Sequence, residues 1–142
     1  MHLAYRFQRI YLHVRNTLRT MKEQVNRKFD AKNLTMLERL HTIMEERQLY
    51  LNPNFSIIDL TNLLGTNRTY VSVYLNEVLG KSFFDFVNDY RLQVAEKMVC
   101  ETNDNFRDIA MRSGFNSLST FRRAFARKHG VTPGVYRERY GR

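Results

Sequence analysis

One pattern occurs twice in this chain, and it limits the possible folds more than any other feature. The first copy runs Ile57-Ile58-Asp59-Leu60-Thr61-Asn62-Leu63-Leu64-Gly65 and continues through Tyr70-Val71 and Leu75 to Gly80. The second runs Phe106-Arg107-Asp108-Ile109-Ala110-Met111-Arg112-Ser113-Gly114 and continues through Phe121 and Phe125 to Gly130. Each copy reads as a short helix, a glycine turn and a second helix. In each, a small residue (Thr61 or Ala110) precedes the turn glycine by four positions. Close helix crossing needs a small side chain, and the turn needs a positive φ, which glycine adopts without steric cost. The repeated unit is therefore a helix-turn-helix.

Two such units in one chain predict a protein that sets two helices into successive major grooves of one DNA duplex. The charge balance points the same way. The chain has 23 Lys+Arg against 14 Asp+Glu, a net charge of +9 over 142 residues. Such an excess suits a polyanionic partner, either nucleic acid or an anionic membrane. Residues 105–142 hold nine Lys/Arg and two acids, and residues 1–30 hold seven and two. Residues 31–104 hold seven Lys/Arg and ten acids, so the positive potential lies at the two ends.

Other chemistries find little support. Cys100 is the only cysteine, which excludes an intrachain disulfide and suits a reducing compartment. His2, His13, His41 and His129 have no cysteine or carboxylate at metal-ligand spacing, so no metal and no cofactor are expected. No apolar run approaches the ~18 residues of a membrane span. Arg6, Arg9 and Arg15 break the N-terminal segment, which is neither a signal peptide nor a transmembrane helix. Asp85 and Asp89, four apart on one helical face, are the only suggestion of paired catalytic carboxylates. With no nucleophile–base pair or phosphate loop beside them, they read as solvated charges, and no catalytic residue is assigned.

The periodicities predict an all-α chain in four parts. Residues 1–34 form an amphipathic helix and linker, with Leu3, Phe7, Ile10, Val14, Leu18, Met21 and Val25 as one apolar stripe. That stripe must pack on the following domain, pair with a second copy, or lie on a membrane surface. Residues 35–81 form the first helix-turn-helix subdomain, opened by Thr35 as an N-cap with Glu38 completing a capping box. Ser56 caps its next helix, and Thr66 or Asn67 opens its reading helix. Residues 82–100 form a long connector helix capped by Ser82. Residues 101–142 form the second subdomain, with Asn103 or Asn105, Asn116 or Ser117, and Thr132-Pro133 at its helix starts.

The chain resembles the DNA-binding domain of the AraC/XylS family of bacterial transcription regulators. The resemblance covers residues 35 to 140 and rests most heavily on the second half. Arg91-Leu92 and Ala95 precede Ile109-Ala110, Gly114-Phe115 and Phe121-Arg122-Arg123-Ala124-Phe125, and the run ends in Gly130-Val131-Thr132-Pro133. The first half adds Tyr70-Val71-Ser72, Leu75, Gly80 and Lys81-Ser82-Phe83. The resemblance implies sequence-specific binding to double-stranded promoter DNA, usually for activation, with RNA polymerase as a further partner. It also implies a bacterial cytoplasmic setting. Residues 1–34 are too short for the effector domain that family members mostly carry. They leave two readings: a small stand-alone regulator, or the C-terminal piece of a larger, membrane-linked sensor joined through a stalk at residues 3–29.

Site residues follow from the two faces of each reading helix. With Val71, Leu75 and Val78 inward, the first helix turns Arg68, Thr69, Ser72, Val73 and Asn76 outward. With Phe121 and Phe125 inward, the second turns Ser119, Thr120, Arg122, Arg123 and Arg127 outward. By position in the family motif, Thr69, Ser72, Val73, Ser119, Thr120 and Arg123 match base-facing positions. Arg123 leads, since arginine on guanine is the commonest specific pairing. Val73 departs from the polar residue often found there, although an apolar side chain can meet a thymine methyl. Arg68, Lys81, Arg122, Arg127, Lys128 and Arg137 are expected at phosphates. For Thr69, Ser119 and Asn116 the competing role is helix capping. The competing function is a helical protein- or membrane-interaction module that has kept the fold without DNA readout.

Overall fold

The computed structural model describes residues 12–17, 19 and 31–142, and these divide between two compact units, residues 1–42 and 43–142. Residues 12–17 and 19 are helical, and the rest of the stripe expected over 3–29 lies outside the described residues. No strand occurs among the described residues, in agreement with the all-α expectation.

Helix α1 spans Ala31–Arg47. Thr35 lies inside it, so the capping box expected of Thr35 and Glu38 does not open this helix. Nothing between Lys32 and Thr35 breaks a helix, because neither glycine nor proline occurs there. After α1, Gln48 takes a left-handed conformation at φ 47° and a 3-10 turn follows at Leu49–Leu51. The segment that leads to the next helix therefore begins in a helical turn.

The first helix-turn-helix follows. Helix α2 is Ile57–Leu64, started by a capping box in which the Ser56 hydroxyl accepts from the Asp59 amide and Asp59 accepts from the Ser56 amide. Gly65 ends it at φ 64°. Thr61, the small residue of the crossing, is buried, and its hydroxyl donates to the Ile57 carbonyl at 2.7 Å. Helix α3 is Arg68–Val73, capped by Asn67, and it runs on into a π-helical turn at Tyr74–Val78. A π turn takes one more residue than an α turn, as the Leu79 amide bonding to the Tyr74 carbonyl shows. Val71 and Leu75 are buried as expected, Tyr74 joins them on the same face, and Val78, beyond the widened turn, is only half-buried.

The connector, α4, is Phe83–Glu101 with Ser82 as its cap. It buries Phe86, Val87, Arg91, Leu92, Ala95, Glu96 and Val99, residues on more than one side of its cylinder. The second helix-turn-helix is built from α5, Phe106–Arg112, and α6, Leu118–His129, capped by Asn105 and Ser117. Helix α7, Pro133–Tyr140, has Thr132 as its cap and proline in its first turn. Leu92, Ala95 and Val99 of α4 form one core with Ile109, Ala110, Phe115, Phe121 and Phe125. Fully burying each such large side chain stabilises the fold by ~1.5–3 kcal/mol. Edge-to-face ring pairs Phe115–Phe121 and Phe125–Tyr136, with centroids 5.5 and 5.2 Å apart, give that core its orientation. Tyr136 Oη donates to Glu96 Oε1 at 2.9 Å, which ties α7 to the connector.

Arg91 joins the two halves of the compact unit. It is 8% exposed. Its Nε donates to the Tyr50 carbonyl at 2.7 Å and its Nη2 to the Asn52 carbonyl at 2.9 Å. Its guanidinium also lies over the Phe115 ring, 5.9 Å from the centroid. One side chain on the connector thus touches the turn ahead of the first helix-turn-helix and the turn inside the second. Gly114 completes the joint. A Cβ there would lie 2.1 Å from the Tyr50 carbonyl oxygen and 2.8 Å from the Leu51 Cα.

Candidate nucleic-acid interface

Helix α6 separates its two faces sharply. Phe121 and Phe125 are fully buried on one side. Ser119, Arg122, Arg123 and Arg127 are exposed on the remaining surface, Thr120 is half-buried, and Lys128, on the phenylalanine side, is exposed in the last turn. The Ser117 hydroxyl accepts from the Thr120 amide and donates to the Thr120 hydroxyl. Ser117 is thus the cap, which removes that role from Ser119 and Asn116. The last turn holds Arg127 and Lys128, cations that suit the negative end of the helix dipole.

Helix α3 has a weaker version of the same division. Val71 is buried behind it. Arg68, Thr69 and Val73 are exposed, and Ser72 is half-buried. Asn67 accepts from the Tyr70 amide at 2.8 Å, so Thr69 is not the cap either. Asn76 Nδ2 donates to the Ser72 carbonyl at 2.8 Å, holding the side chain against its own helix. Val73 is 46% exposed, a large apolar surface in the middle of this face.

Arg137, expected at a phosphate, is instead bound up in the fold. Its Nε donates to the Val99 carbonyl at 3.0 Å and its Nη2 to the Asp104 carbonyl at 2.9 Å. Its guanidinium stacks on Phe106 at 4.4 Å. These contacts satisfy carbonyls near the C-terminal end of α4 and in the turn after it.

The acids on α4 also have a place that their spacing did not reveal. Asp85 Oδ1 lies 3.4 Å from Arg127 Nη1 of α6, and Asp89 pairs with Lys81 ahead of α4. They are ion-pair partners of residues expected at phosphates. No sequence signal marked the first pair, since its members stand 42 positions apart. No group of three or more metal-ligating side chains occurs among the described residues.

A family model described as a helix-turn-helix domain matches residues 60–139, which takes in α3, α4, α5 and α6 entire. The chain belongs to the AraC-type helix-turn-helix family of DNA-binding transcription regulators. Within that family it is 29% identical over 119 residues to the HTH-type transcriptional regulator YtdP of Bacillus subtilis, a match covering 83% of this chain and 15% of YtdP. It is 25% identical over 122 residues to the HTH-type regulator YobQ of the same organism, covering 86% of this chain and 48% of YobQ. The chain therefore spans less than half the length of either relative. Among solved structures, the C-terminal domain of the two-component response regulator yesN from Fusobacterium nucleatum superimposes with a TM-score of 0.64 at 23% identity, covering 72% of this chain and 98% of that domain. The DNA-binding domain of AdpA, solved with a target DNA, gives 0.63 at 20% identity, covering 72% of this chain and 92% of that one. These likenesses establish the AraC-type fold for the present chain.

Proposed function

We propose that residues 43–142 read promoter DNA with α3 and α6 in two adjacent major-groove segments, and that the chain activates transcription there. The observation that carries this reading is the face of α6. Two fully buried phenylalanines fix the helix from behind while serine and arginine side chains are exposed in front. Thr69, Ser72 and Val73 on α3, and Ser119, Thr120 and Arg123 on α6, are the base-facing side chains of this reading. Arg68, Lys81, Arg122, Arg127 and Lys128 face phosphates. Arg137 is left out because backbone carbonyls already hold its guanidinium.

Similarity to AdpA, whose domain was solved on a target DNA, supports the reading. So does a net charge of +9. The second head is the stronger reader, since α3 offers one cation and an exposed valine where α6 offers four. RNA polymerase is the further partner that activation requires, and a bacterial cytoplasm is where both meet. Residues 3–29 would join the reader to an upstream sensor segment or to a second copy.

Selection of bound sequences from a random duplex pool tests the reading. Two enriched clusters, centred about 10–10.5 base pairs apart, are expected. One enriched cluster would reduce the site to a single head, and no enrichment would overturn sequence-specific readout.

A further inference from the structure

The connector and the second reading helix enclose an open cleft of about 610 Å³. Lys81, Asp85 and Asp89 line one wall, and Thr120, Arg123 and Arg127 line the other. This cleft lies beside the base-facing side chains of α6. Two of its cations are paired within it, because Asp85 holds Arg127 and Asp89 holds Lys81.

We propose that this cleft seats a DNA phosphodiester strand, and that Asp85 and Asp89 are built-in stand-ins for its phosphates. Each carboxylate occupies a cation until a phosphate displaces it. The proposal rests on the DNA-binding reading above and adds a restraint to it. A carboxylate left without its cation beside an incoming phosphate repels that phosphate and draws a cation back from solution. Both effects lower affinity for DNA of any sequence and flatten its dependence on salt. The strand seat is therefore tuned toward easy release.

The restraint has a simple magnitude. Exposed ion pairs are weak, so each carboxylate restrains binding by roughly 2- to 5-fold. The two together hold the chain about an order of magnitude below the affinity its cations would otherwise give. Asp85 also complements the dipole of α4, so its pairing with Arg127 has to be separated from that local role.

The experiment uses the full chain and two duplexes, one selected and one of random sequence, each titrated over a series of salt concentrations. Asp85→Asn with Asp89→Asn should tighten binding to both duplexes by about the same factor, roughly 5- to 20-fold. The salt slope should steepen by up to about 0.9 for each phosphate contact regained. Glu101→Gln with Glu138→Gln changes the net charge equally but lies outside the cleft, and should give a smaller gain. Asp85→Asn should tighten binding in the parent chain and give a smaller gain when Arg127→Ala is already present, because only the repulsion of the phosphate is then relieved. Four results would overturn the proposal: weaker binding by the Asp85 and Asp89 variants, an unchanged salt slope, an equal gain from the remote pair, or a full gain in the Arg127→Ala background. If the parent chain showed no salt-dependent DNA binding at all, the reading beneath the proposal would fall with it. A parent that binds with an unaltered variant slope would sink the restraint alone.

Discussion

Arg91 Nε holds the carbonyl oxygen of Tyr50, 41 residues earlier in the chain, at 2.7 Å. The contact ties the connector to the turn ahead of the first helix-turn-helix. Burial works against the charged guanidinium and lowers its pKa, and the carbonyls of Tyr50 and Asn52 offset that cost. Arg91→Met would leave two backbone carbonyls without their donor. A loss of ~2–6 kcal/mol is expected, at ~1–3 kcal/mol for each unsatisfied buried group. Denaturant unfolding followed by circular dichroism measures it. A loss below ~1 kcal/mol would mean that water or neighbouring donors replace the arginine.

Gly114 and Gly65 make a matched pair at the two turns. Both have positive φ, 92° and 64°. Gly65 has open space around a would-be Cβ, whereas Gly114 faces the Tyr50 carbonyl at 2.1 Å. Gly65→Ala should cost only the backbone strain, ~1–2 kcal/mol. Gly114→Ala adds a collision with backbone to that strain and should cost ~3 kcal/mol or more, which a thermal unfolding series would rank. Equal losses would show that the turn can move off Tyr50.

Much of this architecture is legible in the sequence because caps are local. Ser56, Asn67, Ser82, Asn105, Ser117 and Thr132 each stand at a helix start, where short polar side chains satisfy amides. Thr35 shows the limit of that signal, since a hydroxyl followed by glutamate also fits inside a helix. Tyr74 was passed over although it stands three residues after Val71 on the same α-helical face, because its hydroxyl makes it a weaker core signal than valine or leucine. The structural role of Arg137 and the Asp85–Arg127 pair depend on tertiary approach, which no local pattern encodes.

The two faces of α6 allow base readout to be separated from phosphate attraction. Arg123→Ala should weaken specific binding by ~1–3 kcal/mol and relax preference at one base pair. Lys128→Ala should weaken binding to every sequence alike and lower the salt slope by about one unit. Footprinting against Thr69→Ala with Ser72→Ala then ranks the heads, and the Arg123 change should weaken binding more. A specificity ratio untouched by Arg123→Ala would move that side chain to the phosphates.

Asp59 gives the first head a pH dependence. The Ser56 hydroxyl, and after it the Ser56 amide, hold its carboxyl below the ordinary 3.8. A depressed carboxylate stabilises the fold above that ordinary value, and its contribution disappears as pH falls through the lower folded value. Asp59→Asn should therefore be less stable than the parent at neutral pH. The gap should be constant down to about 4 and close below it. Parallel acid titrations of the two proteins, read by circular dichroism, would show the convergence. A gap that persisted to the lowest pH would place the benefit in shape rather than charge.

The unlike surfaces of α3 and α6 have a consequence for how this chain would meet a genome. Helix α3 with its π turn runs from Arg68 to Val78, close in length to α6. Its face carries one arginine and an exposed valine, where α6 carries three arginines and a lysine. Two unlike heads in one chain possess no two-fold axis, so a stretch read in the way proposed above has none. Such a stretch is an arrow rather than a palindrome. Turned end for end, it would present the same chain facing the other way along the chromosome, toward a different gene.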